Sequence, residues 1–93
     1  MHLPENLVVL RKKWKLNQVE FGELIGANQH TVKRIEAGAQ ECPLSVVLKL
    51  EELSGVSVWR LVNRKIEARD LPAVPGQVYR KEIEEVNEPV GEE

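Results

Sequence analysis

The sequence predicts an all-α fold, with five short helices in residues 1–67 and a C-terminal tail behind them. Three observations carry that expectation. Apolar residues make up 42% of the 93 residues but aromatics only 4%, the composition of a core built from aliphatic side chains on helices. Capping residues and glycines recur at helix-length intervals up to about residue 66, where strand-like alternation is absent. The chain is also too short for two independent cores.

The first helix is expected from Pro4 to Trp14. Leu7, Leu10 and Trp14 share one face, and proline is tolerated in a first turn because its missing N–H has no helical partner there. The second helix has the clearest start. Asn17 caps it, and Glu20 sits where its carboxylate reaches back to the cap's N–H. Leu16 and Phe21 flank the cap as a hydrophobic staple. Gly26 ends this helix, since glycine enters a left-handed turn without steric cost. Asn28 caps a third helix running to Gly38, so two short helices are joined by the turn 26–28, the tight connection of a helix-turn-helix.

A fourth helix starts near Pro43. Leu44, Val46, Val47, Leu48, Leu50 and Leu53 give it an apolar arc so wide that it is expected to be the most buried element. Ser54-Gly55 closes it. Ser57 caps a fifth helix, stapled by Val56 and Leu61, with Val58, Leu61 and Val62 facing inward. From Leu71 to Gly76, two prolines and a glycine read as an extended linker. Residues 77–86 read as a short helix carrying Val78, Tyr79, Ile83 and Val86, and the acidic residues from Asn87 onward as disordered chain. The expected division is therefore a domain at 1–67, with its helix-turn-helix core at 18–38, and a linker and acidic tail at 68–93 that is partly disordered or serves as a short dimerisation or partner segment.

Charge follows the same division. Residues 1–66 hold ten Lys and Arg against seven acids, a net +3, whereas residues 67–93 hold three against eight, a net −5. The overall −2 hides a mildly basic front, a weak hint of nucleic-acid interaction. Cys42 is the only cysteine, which excludes an internal disulfide and a thiolate cluster; a small half-buried side chain is its expected role. His2, His30 and Cys42 lack ligand spacing, so neither metal nor cofactor is expected. No Ser/His/Asp or paired-carboxylate arrangement points to catalysis. No apolar run approaches the roughly 20 residues of a membrane span, and Pro4 and Glu5 interrupt any signal-like start, so a cytoplasmic location is expected.

Residues 18–38, QVEFGELIGANQHTVKRIEAG, concentrate the functional signal. Gly22 supplies the small side chain where two helices cross closely, Gly26 the positive φ of the turn, and Val32 with Ile35 the stripe that anchors the third helix. With about 100° per residue and Gln29 at zero, Lys33 falls near 40°, His30 near 100° and Arg34 near 140°, while Val32 and Ile35 fall near 300° and 240°. The long polar donors thus share one arc opposite the anchor. This segment closely resembles the helix-turn-helix of the Cro/phage-repressor (XRE) family of transcriptional regulators, and the likeness extends from about Leu7 to Lys65. It implies a lambda-repressor-like domain that binds double-stranded DNA in a sequence-specific way, most often as a repressor.

The resemblance assigns base reading to Gln29, His30 and Arg34, with Lys33 beside them, and phosphate binding to Gln18, Asn28 and Asn17. It also implies a structural ion pair between Arg11 and Glu36. Two departures stand out: Lys15 replaces the usual glycine between the first two helices, so strain is expected there, and residues 39–42 lack the usual phosphate-binding character, with Glu41 repelling phosphate. Trp59 points away from the expected core, and with Asn63 and Ile66 it forms a second stripe on the fifth helix. Trp59 and Ile66 are therefore expected to form a homodimer interface, unless Leu71, Val74 or Tyr79 of the tail covers them. A two-fold dimer would set two recognition helices about 34 Å apart on the duplex. The competing expectation is an antitoxin-like or adaptor protein that binds a protein partner through Trp59 and the tail.

Overall fold

Helix α1 (Leu3–Lys13) follows the expected pattern in a computed structural model that describes residues 1–76. Pro4 occupies its first turn, Glu5 lies at its positive end, and Arg11, Lys12 and Lys13 lie at its negative end, each where the helix dipole favours it. Leu3, Leu7 and Leu10 form its buried stripe. The helix closes with Leu16 N–H on the Arg11 carbonyl and Lys15 N–H on that of Lys12, both at 3.1 Å. This closure needs a left-handed residue, and Lys15 takes it at φ 59°, the only described non-glycine residue at positive φ. The expected strain is therefore present. Lys15→Gly is expected to stabilise the domain by about 0.5–1 kcal/mol, the left-handed cost less glycine's extra unfolded-state entropy. Urea denaturation checks it as a higher midpoint at unchanged slope.

Helix α2 (Gln18–Ile25) carries the complete capping box, Glu20 N–H on Asn17 Oδ1 at 2.8 Å and Asn17 N–H on Glu20 Oε1 at 2.9 Å. Gly26 ends it at φ 79°. Helix α3 (Gln29–Glu36) begins on Asn28, whose Oδ1 accepts from Thr31 N–H at 2.8 Å. Helix α4 (Leu44–Ser54) follows Pro43, and helix α5 (Val58–Asn63) is capped by Ser57 Oγ, which accepts from Arg60 N–H at 3.1 Å. The described residues are thus all-helical, and their core draws on every helix: Leu7, Leu10, Phe21, Val32, Leu50 and Leu61 have no exposed surface. Trp14 and Phe21 pack with ring centroids 6.5 Å apart.

Three expectations are corrected. Helix α4 is not the most buried element, because Leu44 and Leu48 on its outer side are 70% and 50% exposed. Ile66 is not on an outer stripe with Trp59: it is 1% exposed and belongs to the core. The helical register assumed for Ile66 fails because α5 stops at Asn63 and Arg64 is extended (φ −127°, ψ 150°), which turns the following chain inward. The domain also continues past residue 67. After a short 3₁₀ turn (Ala68–Asp70), Leu71 is buried, the Pro72 carbonyl accepts from the Trp14 indole at 3.0 Å, and Gly76 N–H donates to the Leu53 carbonyl at 2.7 Å. Proline forbids a helix here but not an extended strap lying on the surface. The helix expected over 77–86 and the acidic terminus, Tyr79 included, lie outside the described residues.

The clip that places α1 against the end of α5 was not foreseen. Asn6 is wholly buried. Its Nδ2 donates to the carbonyls of Leu61 and Arg64, both at 2.7 Å, and its Oδ1 accepts from Ile66 N–H at 2.9 Å. One amide side chain thus satisfies three main-chain groups left over where α5 unwinds.

Candidate nucleic-acid interface

The turn between α2 and α3 sets the position of the candidate surface. Ala27 N–H bonds the Gly22 carbonyl at 2.8 Å, and a Cβ on Gly22 would collide with the Ala27 carbonyl oxygen and crowd Val32 Cγ2. Gly22 therefore lets the turn fold back onto α2, and α3 lies as close as backbone allows. Val32 (0% exposed) and Ile35 (1%) anchor α3 from beneath. Gln29, His30, Lys33 and Arg34 are all exposed. The structure thus brings the four expected base-reading residues together on the outer arc of one two-turn helix.

The Arg11–Glu36 ion pair is present and has two bonds, Nε to Oε2 at 2.7 Å and Nη2 to Oε1 at 3.2 Å. Both side chains are mostly shielded from water, which makes the pair geometrically restrictive rather than a loose surface contact. Arg11 also donates from Nη1 to the Leu16 carbonyl at 3.2 Å, so one guanidinium ties α1, the α1–α2 corner and α3 together. An electrostatic consequence follows for α3: its one acid is neutralised and turned away, leaving Lys33 and Arg34 as the helix's net charge.

Gln18 sits at the start of α2, half-buried, with its Nε2 donating to Glu36 Oε1 at 3.2 Å. It is thus a third member of the Arg11–Glu36 cluster, which its expected phosphate role did not include. Asn17 and Asn28 are exposed, and each uses its carbonyl oxygen as a helix cap. What remains for an anion at each of these two helix starts is the first-turn main-chain N–H pair, on Gln18 and Val19 for α2 and on Gln29 and His30 for α3. At the start of α2 the Glu20 carboxylate lies beside that pair and opposes a phosphate.

Residue Gln40, in the loop after α3, is a further participant, one that no local sequence pattern marks. Its Oε1 accepts from Arg34 Nε at 3.0 Å. Glu41 beside it is exposed, as its expected phosphate-repelling role requires, and Cys42 is half-buried. Burial pushes the Cys42 thiol up to about 11, so it stays protonated and unreactive near neutral pH. Among the described residues no group of three His, Cys, Asp or Glu could hold a metal ion, and no helix is long and apolar enough to cross a membrane.

The domain also exposes apolar surface. Trp59 is 58% exposed, with the Arg64 guanidinium 5.2 Å from its ring centroid, and residues 68–76 do not cover it. Val74 is itself exposed. Next to Val58 and Val62 of the same helix, an apolar groove of about 620 Å³ opens between the start of α1, the loop after α3 and the start of α4, lined by Met1, Leu3, Gln40, Leu44 and Val47 among others. No protein-family model, curated protein or solved structure matches this chain.

Proposed function

We propose that this chain is a sequence-specific double-stranded DNA-binding protein, a transcriptional regulator acting as a repressor, that lays α3 in the major groove. One observation carries the reading: four long polar donors lie exposed on a helix whose opposite stripe, Val32 and Ile35, is sealed in the core. An α-helix fits the major groove, where Gln pairs with adenine and Arg with guanine through two hydrogen bonds each. Lys33 and the main-chain N–H groups at the start of α3 serve as phosphate contacts around them.

The basic complement is small and Glu20 and Glu41 oppose phosphate, so one domain on its own binds modestly. Pairing two copies through the Trp59 face of α5 would place two recognition helices on one side of the duplex and compensate for this. Selection from genomic fragments at about physiological salt is expected to enrich a two-fold symmetric site. On that site, Gln29→Ala combined with Arg34→Ala is expected to weaken binding at least about tenfold, while affinity for unrelated duplex changes far less. Equal binding by wild type and variant at fixed salt would refute base reading by α3.

The exposed Trp59, with Arg64 stacked against it, favours a second reading as an adaptor that holds a protein partner. Copurification of a stoichiometric partner that is lost on truncation would support it. The cut belongs after Gly76, because one after Ile66 would remove the core residue Leu71 and the bond from Gly76 to Leu53.

A further inference from the structure

Arg34 is exposed but tethered. Its Nε–H donates to Gln40 Oε1 at 3.0 Å, a contact that follows from how α3 ends. Gly38 stands at φ 74°, its N–H bonds the Ile35 carbonyl at 3.0 Å, and Ala39 N–H bonds the carbonyl of Arg34 itself at 2.8 Å. These paired bonds form the left-handed closure of a helix C-terminus. The chain therefore turns back onto the main chain of Arg34, and Gln40 arrives beside its side chain. Gln40 is half-buried and also lines the apolar groove, so the tether is anchored on the domain rather than free in solvent. Its amide can face Arg34 only through oxygen, because a guanidinium offers donors alone.

The tether selects among the ways in which arginine can bind. A guanidinium has five N–H groups, one on Nε and four on the two terminal nitrogens. With Nε–H engaged, side-on approach through that edge is closed. The terminal pair stays open, and it spans the N7 and O6 acceptors of guanine in the major groove. Restricting the side chain beforehand also reduces the rotamer freedom lost on binding.

We propose that Gln40 is the positioning residue for Arg34, fixing its guanidinium for end-on, two-bond reading of a guanine and thereby setting base preference at one position of the DNA site. The proposal rests on the base-reading role of α3 given above.

Parallel selections from one pool of random duplex, using the full chain as wild type, Arg34→Ala and Gln40→Ala, test it. Arg34→Ala is expected to lose a guanine preference at one base pair of each half-site. Gln40→Ala is expected to weaken the preference at that same base pair by about three- to tenfold and leave the other positions unchanged. Its thermal midpoint should match wild type, and Gln40→Met, which keeps length in the groove but removes the acceptor, should behave alike. A variant that was merely less stable would lower enrichment at every position equally. If Arg34→Ala shifts the preference and the Gln40 variants do not, or shift it elsewhere, the positioning role is overturned and base reading stands. If Arg34→Ala selects the wild-type site undiminished, or wild type enriches nothing, both fall.

Discussion

Asn6→Leu is expected to destabilise the domain by about 3–5 kcal/mol, a large fraction of what a unit of this size possesses. Leucine keeps the branched heavy-atom skeleton of asparagine but is bulkier, so it adds some overpacking, and it serves none of the three main-chain groups. The Leu61 and Arg64 carbonyls and the Ile66 N–H would lose their only described partner in a site with no exposed surface. Each such loss costs about 1–3 kcal/mol, and water reaching the outermost carbonyl of Arg64 recovers part of it. Equilibrium urea unfolding measures the loss directly; a midpoint within error of wild type would show that the clip contributes nothing. Asn6→Asp gives a signed companion result. A carboxylate facing two carbonyl oxygens in a dry site is disfavoured, so its folded-state pKa lies above the unfolded one. Stability is then greatest below the unfolded value and is lost as pH rises through the folded value. The Asp variant is expected to be more stable at acid pH than at neutral pH relative to wild type.

The second large effect is expected at Gly22. Gly22→Ala should cost about 2–4 kcal/mol and Gly22→Val more, because the added carbon meets the Ala27 carbonyl, which is backbone and can move only by opening the α2–α3 turn. Gly26→Ala is the control. Nothing lies within 4 Å of a Cβ built there, so only the left-handed conformation is penalised, at about 1–2 kcal/mol. Thermal unfolding of both variants tests the order; a Gly26 variant that proves the less stable of the two would contradict the close-approach argument. Since α3 hangs from this turn, the Gly22 variants should also lose the proposed DNA binding at temperatures where circular dichroism still reports helix.

Both effects concern how α3 is carried rather than what it touches. The proposed reading surface is four exposed side chains on a two-turn helix, too short to be stable on its own. Its orientation comes from Val32 and Ile35 beneath, the Gly22–Ala27 contact at its start, the Arg11–Gln18–Glu36 cluster on its flank and the Gly38 closure at its end. Each support is a separate point at which the proposed binding can be lost without changing any of those four side chains. Arg11→Ala illustrates this: it would leave the shielded Glu36 without its cationic partner, held only by Gln18, beside the residues proposed to meet phosphate.

Much of this arrangement could be read before any coordinates. The capping box at Asn17 and Glu20, the caps at Asn28 and Ser57, and the glycine closures at 26, 38 and 55 all join residues a few positions apart. The outward arc of Gln29, His30, Lys33 and Arg34 follows from helical periodicity alone. The tether of Arg34 by Gln40 spans the same short range, since a helix ending in Gly38 must return the chain toward its last turn, but no periodicity or capping pattern in residues 39–42 marks it. The Arg11–Glu36 pair came from the family resemblance and not from spacing.

What the local pattern determined is the order of helices, their ends and the outward face of α3, because hydrogen bonds across three to six residues and a fixed rotation per residue act wherever the chain lies. Tertiary packing alone decided the rest. Asn6 meets groups 55 to 60 residues away, and its burial has meaning only once α5 unwinds beside it. Ile66 turned inward because the helix stopped at Asn63 and the main-chain groups left there found their partner in Asn6 of α1, and Leu71 followed it into the apolar core. Leu44 and Leu48 stayed in water because a wide apolar arc specifies how much of a helix could be covered, not how many neighbours arrive to cover it.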